Sequence, residues 1–267
     1  MQQIFPEIVS NEKIAENVYE MKLRGDFSAI TGAGQFVNLT VDGCYLRRPI
    51  SVCDAENGVL TLVFKVVGKG TEIMSRMQAG KTVDMLVGLG NGYNLEKSGT
   101  RPLLVGGGVG VPPLYKLCKE LIKRGVSPVV VLGFNKASEV FYKEKFEALG
   151  AETYLATADG SLGEKGFVTD VIARLDYTYF YACGPMPMFR ALESIANGRR
   201  IQLRRAHGLR LRRVHGLFRP HEKRREKNLQ GRSRPAKERN YMVNTKVTLS
   251  GWELDNPVIP ASGTFGY

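Results

Sequence analysis

Cysteine is scarce in this chain and unevenly placed. Only four occur in 267 residues, Cys44, Cys53, Cys118 and Cys183, and none follows Cys183. They are too scattered to form a thiolate metal motif, and so few in a chain of this length do not suggest a disulfide framework. Long apolar runs are missing too. None approaches the roughly 18 residues that a membrane-spanning helix needs, so no membrane partner is expected. The opening MQQIFPEIVSNEK has no charged segment followed by an apolar stretch. No signal peptide is read there, and the expected location is the cytoplasm.

What the chain has in excess is positive charge, and the excess is local. The formal net charge is +12, yet residues 199–240 alone hold 16 Lys and Arg against 3 acids, together with all three histidines. The remainder holds 22 basic and 23 acidic residues and is close to neutral. Body and tail are therefore compositionally different objects. A basic run like HGLRLRRVHGLFRPHEKRR binds phosphates with steep salt dependence. Only Phe218 interleaves with its arginines, so no stacking platform for bases is evident. No selected nucleic-acid partner is expected, and nucleic-acid binding by the tail stays as a minor alternative.

The body divides by hydrophobic period. Alternating apolar segments at Gln35–Val41, Pro49–Cys53, Val59–Val67 and Thr82–Val87 read as strands, with a short helix over Gly70–Met77. Strands at this spacing predict a small antiparallel β barrel over residues 1–97. From residue 98 the pattern alternates strand and helix. RPLLV, SPVVVLGF, AETYLATA and YTYFYACGP read as strands. VPPLYKLCKELIKRG, SEVFYKEKFEALG (with Ser138 as N-cap), GFVTDVIARL and MPMFRALESIANG read as helices. This order predicts an α/β domain over residues 98–198, with a parallel sheet between two helical layers.

Three short stretches carry chemistry. Gly106, Gly107, Gly108 and Gly110 sit at a strand-to-helix turn, where bare backbone and a helix N-terminus suit a pyrophosphate. Pro113 replaces the third glycine of a dinucleotide fingerprint, so a plain tight turn stays open. Arg48, Pro49, Ile50 and Ser51 sit on a barrel strand, where an arginine can grip phosphate and a serine hydroxyl can bond a flavin ring. An ordinary exposed arginine also fits, as does an ordinary helix start at Gly70 and Thr71. Cys183, Gly184 and Pro185 end the last parallel strand, on the side of an open sheet where ligands sit. Cys183 itself reads equally well as a small buried apolar residue.

Taken in order, RPIS, GKGT, GGGVGVPPL and ACGPMPM resemble the ferredoxin-reductase family of flavoproteins. LRRPISV, FKVVGKGTEIM, GLGNGY, DGSLGEKGFVTD and YACGPMPM resemble, more narrowly, the electron-transfer subunits of bacterial NAD-linked, two-subunit dihydroorotate dehydrogenases. The resemblance covers residues 1–198. It implies FAD on the barrel, held by Arg48–Ser51, by Val63, Phe64 and Lys65, and by Gly70 and Thr71. It implies a nicotinamide nucleotide bordered by Gly106–Gly110 and Cys183–Pro185. The absence of an arginine cluster after Phe134 favours NAD over NADP. It also implies an FMN-containing catalytic partner in a two-plus-two heterotetramer, with a role in pyrimidine biosynthesis. The flavin subunit of a hydrogenase, sulfite reductase or ferredoxin:NADP reductase is the alternative.

The family continues into a cysteine-rich segment for a [2Fe–2S] cluster, which needs thiolates. With no cysteine beyond Cys183, the chain as written cannot build one. Shifting frame by one nucleotide explains the tail. Allowed codons for Arg205–Arg219, read one nucleotide forward, give Glu-Arg-Met-Ala-Cys-Gly-Phe-Gly-Ala-Cys-Met-Gly-Cys-Ser. Continued to Arg234, the hidden text has the spacing C-x4-C-x2-C-x11-C, plant-type in its first three cysteines. Codons TAT ATG GTG A across Tyr241–Val243 read Ile-Trp-stop in the same frame. From Met242, MVNTKVTLSGWELDNPVIPASGTFGY resembles the first residues of the catalytic subunit. The expectation is a frameshift between Ser194 and Arg205, a basic, unstructured segment over 199–241 and a partner-like fragment over 242–267.

Overall fold

The computed structural model describes residues 1–195, 201–205, 247–249 and 252–254. Seven antiparallel strands come first: β1 (Gln2–Ile4), β2 (Glu7–Ala15), β3 (Val18–Arg24), β4 (Phe36–Leu39), β5 (Arg48–Glu56), β6 (Val59–Lys65) and β7 (Met85–Leu89). Their spatial order is β1-β7-β4-β5-β6-β3-β2. Backbone bonds from Ile8 N to Lys81 O (2.8 Å) and from Val83 N to Pro6 O (3.0 Å) bring the start of β2 back to the segment entering β7. The sheet thereby closes into a barrel. Asn57 and Gly58 take positive φ values of 53° and 72° between β5 and β6, a two-residue hairpin whose twist matches its strands. The barrel interior is filled by alternate residues, among them Met21, Leu23, Val37, Leu39, Val52, Leu60, Leu62 and Val87. The helix α1 (Lys69–Ser75) adds Met74 to this core.

The second region is a six-stranded parallel sheet: β8 (Pro102–Gly107), β9 (Val129–Phe134), β10 (Glu152–Thr157), β11 (Glu164–Lys165), β12 (Tyr179–Gly184) and β13 (Ile201–Arg205). The order is β11-β10-β9-β8-β12-β13. The chain steps one way from β8 to β9 and β10, then returns to β12 on the other side of β8. The reversal makes the β8/β12 boundary a topological switch point, where open α/β sheets leave a crevice. The long helix α2 (Pro112–Lys123) packs on one face through Leu114, Leu117, Cys118 and Leu121. Of the shorter α3 (Lys143–Ala148), α4 (Val168–Ile172) and α5 (Met186–Ile195), α3 joins α2 through Phe146, while α4 and α5 cover the other face through Val171, Ile172, Phe189 and Leu192. The layered order follows the alternation of period read from the sequence.

Three differences from the sequence reading have physical causes. Strands β1 to β3 were not expected. β1 is only three residues long, the polar run Ser10–Lys13 breaks the apolar pattern of β2, and β3 reads VYEMKLR, whose outward row carries Glu20, buried there although it is charged. Ser138 does not cap α3. Its hydroxyl donates to Glu16 at 2.5 Å, and α3 starts later, after Tyr142. Residues 201–205, assigned to the unstructured segment, instead pair in parallel with β12, from Phe180↔Ile201 to Gly184↔Arg205. In the partner-like fragment, β14 (Val247–Leu249) and β15 (Trp252–Leu254) form an antiparallel pair. The expectations for 206–241 lie outside the described residues.

Barrel and α/β region are tied by charge as well as by apolar packing. Lys119 of α2 reaches Asp54 at 2.6 Å and Glu56 at 2.7 Å, and Lys123 reaches Glu56 at 2.9 Å. Hydrogen bonds from Lys119 and Lys123 hold the Glu56 carboxyl down at about 2. Burial works to lower the Lys119 ammonium, but the bonds to Asp54 and Glu56 outweigh it and raise it to about 12. A lowered carboxyl contributes stability that is present above its ordinary value near 4.5 and lost as pH falls toward 2. Glu56 is largely exposed, so the contribution stays below about 1 kcal/mol. Lys119→Met is expected to flatten the fall in urea midpoint between pH 5 and 2.5 relative to the unchanged chain; parallel profiles would assign no stabilisation to the pair.

Candidate active site

Two surfaces bring the sequence motifs together. The first is the outer face of the barrel. In β4 and β5, Val37, Leu39, Ile50 and Val52 point into the barrel, which turns Phe36, Asn38, Pro49, Ser51 and Cys53 outward. The register sets Ser51 directly opposite Phe36, and Pro49 opposite Asn38. On β6, Val63 faces outward into the core shared with α2, whereas Phe64 packs inside the barrel. Ile50 and Phe64 therefore have only backbone to offer a ligand on this face. Lys65 turns its ammonium to Glu139 at 3.0 Å, and Glu139 also accepts from the Asn135 amide at 2.9 Å.

At one end of this face lie Arg48 and Gly70. A Cβ on Gly70 would fall 2.1 Å from Arg48 Nε, so the guanidinium rests directly on the backbone that opens α1. Arg48 Nη1 donates to Leu46 O at 2.6 Å, which aims the side chain along this turn. Thr71 has a local task. Its hydroxyl accepts from the Val67 and Gly68 amides (2.9 and 3.2 Å) and donates to Gly68 O at 2.9 Å, pinning the GKGT turn. Sequence reasoning missed Asn38. Its Oδ1 is buried with no hydrogen-bond partner, an acceptor on the same outward row as Pro49. An unmatched buried amide oxygen costs about 1–3 kcal/mol, so it fits a site completed by a ligand donor. The only signal in the sequence was an asparagine inside QFVNLTV, a strand otherwise rich in apolar residues.

The second surface is the switch point. Gly106 pairs with Cys183 across β8 and β12. A Cβ on Gly110 would lie 2.0 Å from Cys183 O and 2.6 Å from Gly184 N. The GGGVG turn therefore sits against the backbone of ACGP, and only glycine permits the approach. Gly107 is similarly closed in by Pro185 and Met188, and Gly184 by Met188. Gly108 has φ +52°, and a methyl added there would meet nothing within 4 Å, so it turns the chain in open space. Met188 was not singled out from sequence; it stands one helical turn from Pro185 and closes the gap that the two glycines leave. Cys183 is buried, and its backbone rather than its thiol shapes the turn.

The two surfaces adjoin. Val63 and Cys53 of the barrel share a core with Val111, Leu114 and Cys183 of the α/β region. A ligand on the outer barrel face and another at the switch point would meet near the GGGVG turn. Burial pushes the Cys118 thiol up to about 12 and raises Cys53 still further, so both are protonated packing residues at neutral pH. Among the described residues there is no group of three His, Cys, Asp or Glu side chains placed to hold a metal ion. None of their helices is long and apolar enough to cross a membrane.

Comparison with known proteins adds four findings. Residues 104–194 match the oxidoreductase NAD-binding domain family. The chain is 45% identical over 203 residues to the dihydroorotate dehydrogenase B (NAD(+)) electron transfer subunit of Bacillus pumilus (strain SAFR-032), covering 72% of this chain and 78% of that one. It is 50% identical over 195 residues to the protein of the same name from Bacillus caldolyticus, covering 69% and 76%. Among solved structures, the NADH-dependent reduced ferredoxin-NADP oxidoreductase, described for its flavin-based electron bifurcation, superposes with a TM-score of 0.68 at 31% identity, over 75% of each chain.

Proposed function

The chain belongs to the family of electron transfer subunits of dihydroorotate dehydrogenase B (NAD(+)), and from that premise we propose that it exchanges electrons between a catalytic partner subunit and NAD+ by way of a bound FAD. The observation that carries this reading is the meeting of an outward flavin-type strand face with a glycine-lined switch point in one shared core. Bound FAD would supply the step between hydride chemistry at a nicotinamide and single-electron exchange with a carrier.

The residues divide the work. Arg48, braced on Gly70 and Leu46, would hold phosphate with its guanidinium, the geometry that planar donors favour. Ser51 and Asn38 would meet the polar edge of the flavin, the hydroxyl as donor or acceptor and the orphaned amide oxygen as acceptor. Val63 would pack under the ring, with Lys65, Ile50 and Phe64 contributing chiefly backbone. Gly106–Gly110 and Cys183–Pro185 would let a nicotinamide nucleotide approach the main chain closely. The loop after β9 offers Asn135 and Glu139 in place of arginines, which favours NAD over NADP. We assign residues 1–97 to the flavin domain and 98–198 to the nucleotide domain, with β13 as its added edge. The assembly is proposed as a two-plus-two heterotetramer in the cytoplasm.

The residues of this chain do not fit an iron–sulfur cluster, since no cysteine follows Cys183. We propose that the basic segment is the cluster domain read in the wrong frame, joined to the opening of the catalytic subunit. The register of β13 beside β12 supports a shift toward the end of that strand, because an out-of-frame segment has no reason to continue a parallel ladder. The partner-like ending favours this family over other flavin reductase subunits of the same fold.

The test is flavin binding and its dependence on Arg48. The chain is expected to take up about one FAD, and Arg48→Ala to weaken its binding roughly 10- to 100-fold, the worth of a lost charge-assisted bond. Flavin affinity unaffected by Arg48→Ala would remove this residue from the site, and a chain that takes up no FAD would overturn the reading.

A further inference from the structure

Among the described residues, Tyr142 is the one non-glycine outside the hairpin turns with a left-handed backbone. Among the described residues three non-glycines have positive φ. Two are asparagines, Asn17 and Asn57, in the turns between antiparallel strands, where asparagine tolerates that conformation. The third is Tyr142, at φ +70° and ψ −1°. A bulky residue there is strained and persists only where its surroundings over-determine it.

Its surroundings do. The Tyr142 hydroxyl donates to Glu20 Oε2 at 2.5 Å, and Lys145 Nζ reaches the same oxygen at 2.5 Å. Cys53 Sγ lies 3.4 Å from the tyrosine hydroxyl. The Lys145 ammonium stands 4.1 Å from the Tyr142 ring centroid, and Lys22 approaches the other Glu20 oxygen at 3.4 Å. Tyr142 and Glu20 are 5% and 7% exposed. Burial works against the Glu20 carboxylate, but bonds from Lys145 and Tyr142 outweigh it and hold its carboxyl below the usual range. Burial, and after it the charge of the neighbouring Glu20, raise the tyrosine hydroxyl well above its ordinary value. At neutral pH the contact is a neutral phenol bonded to a carboxylate.

The two ends of this bond belong to different domains and to the elements that build the two surfaces. Glu20 on β3 is the register partner of Val63 on β6, and Cys53 stands two residues beyond Ser51 on β5. Tyr142 follows β9, which pairs with the glycine end of β8 through Gly107↔Gly133. Phe134, the last residue of β9, packs on Phe141 with ring centroids 5.2 Å apart. Lys119–Asp54 and Lys65–Glu139 also cross this boundary on partly covered side chains, whereas Lys136–Glu16 is exposed and weak. A buried bond to a charged group is strong enough to offset the backbone strain.

We infer that Tyr142 is a positioning residue: its bond to Glu20, braced by Lys145, latches the nucleotide domain to the barrel and sets the spacing between the nicotinamide and flavin sites. The inference rests on the functional reading above. Tyr142 is buried away from both surfaces and would act through β3, β5 and β9. Hydride transfer is steep in distance, and a misplacement of about 1 Å costs on the order of 100-fold in rate.

The test uses the whole FAD-loaded chain and Tyr142→Phe, which keeps ring and backbone and deletes only the hydroxyl. Rapid mixing with NADH under anaerobic conditions is expected to bleach the flavin 10- to 100-fold more slowly in the variant. FAD content should be equal, and the NADH concentration at half-saturation should change less than 3-fold. The long-wavelength charge-transfer absorbance between nicotinamide and flavin should weaken in parallel. Glu20→Gln, which keeps an acceptor for Tyr142 but drops the charge, is expected to fall between the two. Amide hydrogen exchange without ligands gives an independent readout, with faster exchange over residues 18–22 and 142–146 in Tyr142→Phe. A bleaching rate and charge-transfer band matching the unchanged chain overturn the inference, as does unchanged exchange in the two segments. Failure of NADH to bleach flavin even in the unchanged chain overturns the functional reading instead, and exchange then decides the latch alone.

Discussion

The chain as written, purified and loaded with FAD, is expected to reduce artificial dyes with NADH and to contain no stoichiometric iron or acid-labile sulfide. The same gene with one nucleotide of frame restored near the codon for Arg205 is expected to yield a protein with about two iron and two sulfide per chain. The reason is chemical. A [2Fe–2S] centre is held by four thiolates, and the written text after Cys183 offers arginine, histidine and glycine instead. Guanidinium groups do not replace thiolates as iron ligands. The shifted text supplies four cysteines at C-x4-C-x2-C-x11-C and a stop at Tyr241–Val243, provided that the gene uses the codons required. Sequencing from the codon for Glu193 to that for Val243 tests this directly. A gene whose shifted frame lacks those cysteines would oblige the basic run to be explained as a real segment. Iron at stoichiometric level in the chain as written would contradict the frameshift reading outright.

The second large effect is at Gly110. Gly110→Ala puts a methyl 2.0 Å from Cys183 O and 2.4 Å from its carbonyl carbon. Both are backbone atoms of the strand end opposite, so no side chain can swing aside to accommodate it. The GGGVG turn and the ACGP turn must part, at a cost of about 3 kcal/mol, the upper range for overpacking. NADH-dependent bleaching of the flavin is expected to fall more than about 100-fold, with FAD still bound, because Arg48, Ser51 and Asn38 stand on the barrel. Gly108→Ala is the control. It carries φ +52° but meets no atom within 4 Å, so only backbone strain of about 1–2 kcal/mol is added. Equal losses from both substitutions would mean that close approach of the two turns has no special role.

The alternation of apolar segments made the barrel followed by a parallel sheet legible without coordinates, and the motifs RPIS, GGGVG and ACGP marked both surfaces. Their contact was not legible, because the distance from Gly110 to Cys183 depends on which strands are neighbours, and strand order is not written in local sequence. The early strands were hidden by the shortness of β1 and the polar run Ser10–Lys13 in β2, and the burial of Glu20 on β3 depends on Tyr142 and Lys145, more than a hundred residues away. Asn38 escaped notice because a lone polar residue in a strand normally faces water. Only the register with Pro49 and the missing partner of its amide oxygen set it apart. Tyr142 looked like an ordinary aromatic in a helix, since left-handed backbone is not readable in a tyrosine. Ile50 and Phe64 belong to motifs that resemble a flavin site, yet their side chains fill the barrel, as period-2 alternation dictates.

The central claim is that this chain passes electrons between a nicotinamide nucleotide and a flavin. Anaerobic rapid mixing of the FAD-loaded chain with NADH, and separately with NADPH, tests it most directly. Complete bleaching of the flavin absorbance by NADH is predicted, faster than by NADPH and without added metal or partner. Bound flavin that stays oxidised in excess NADH would contradict it.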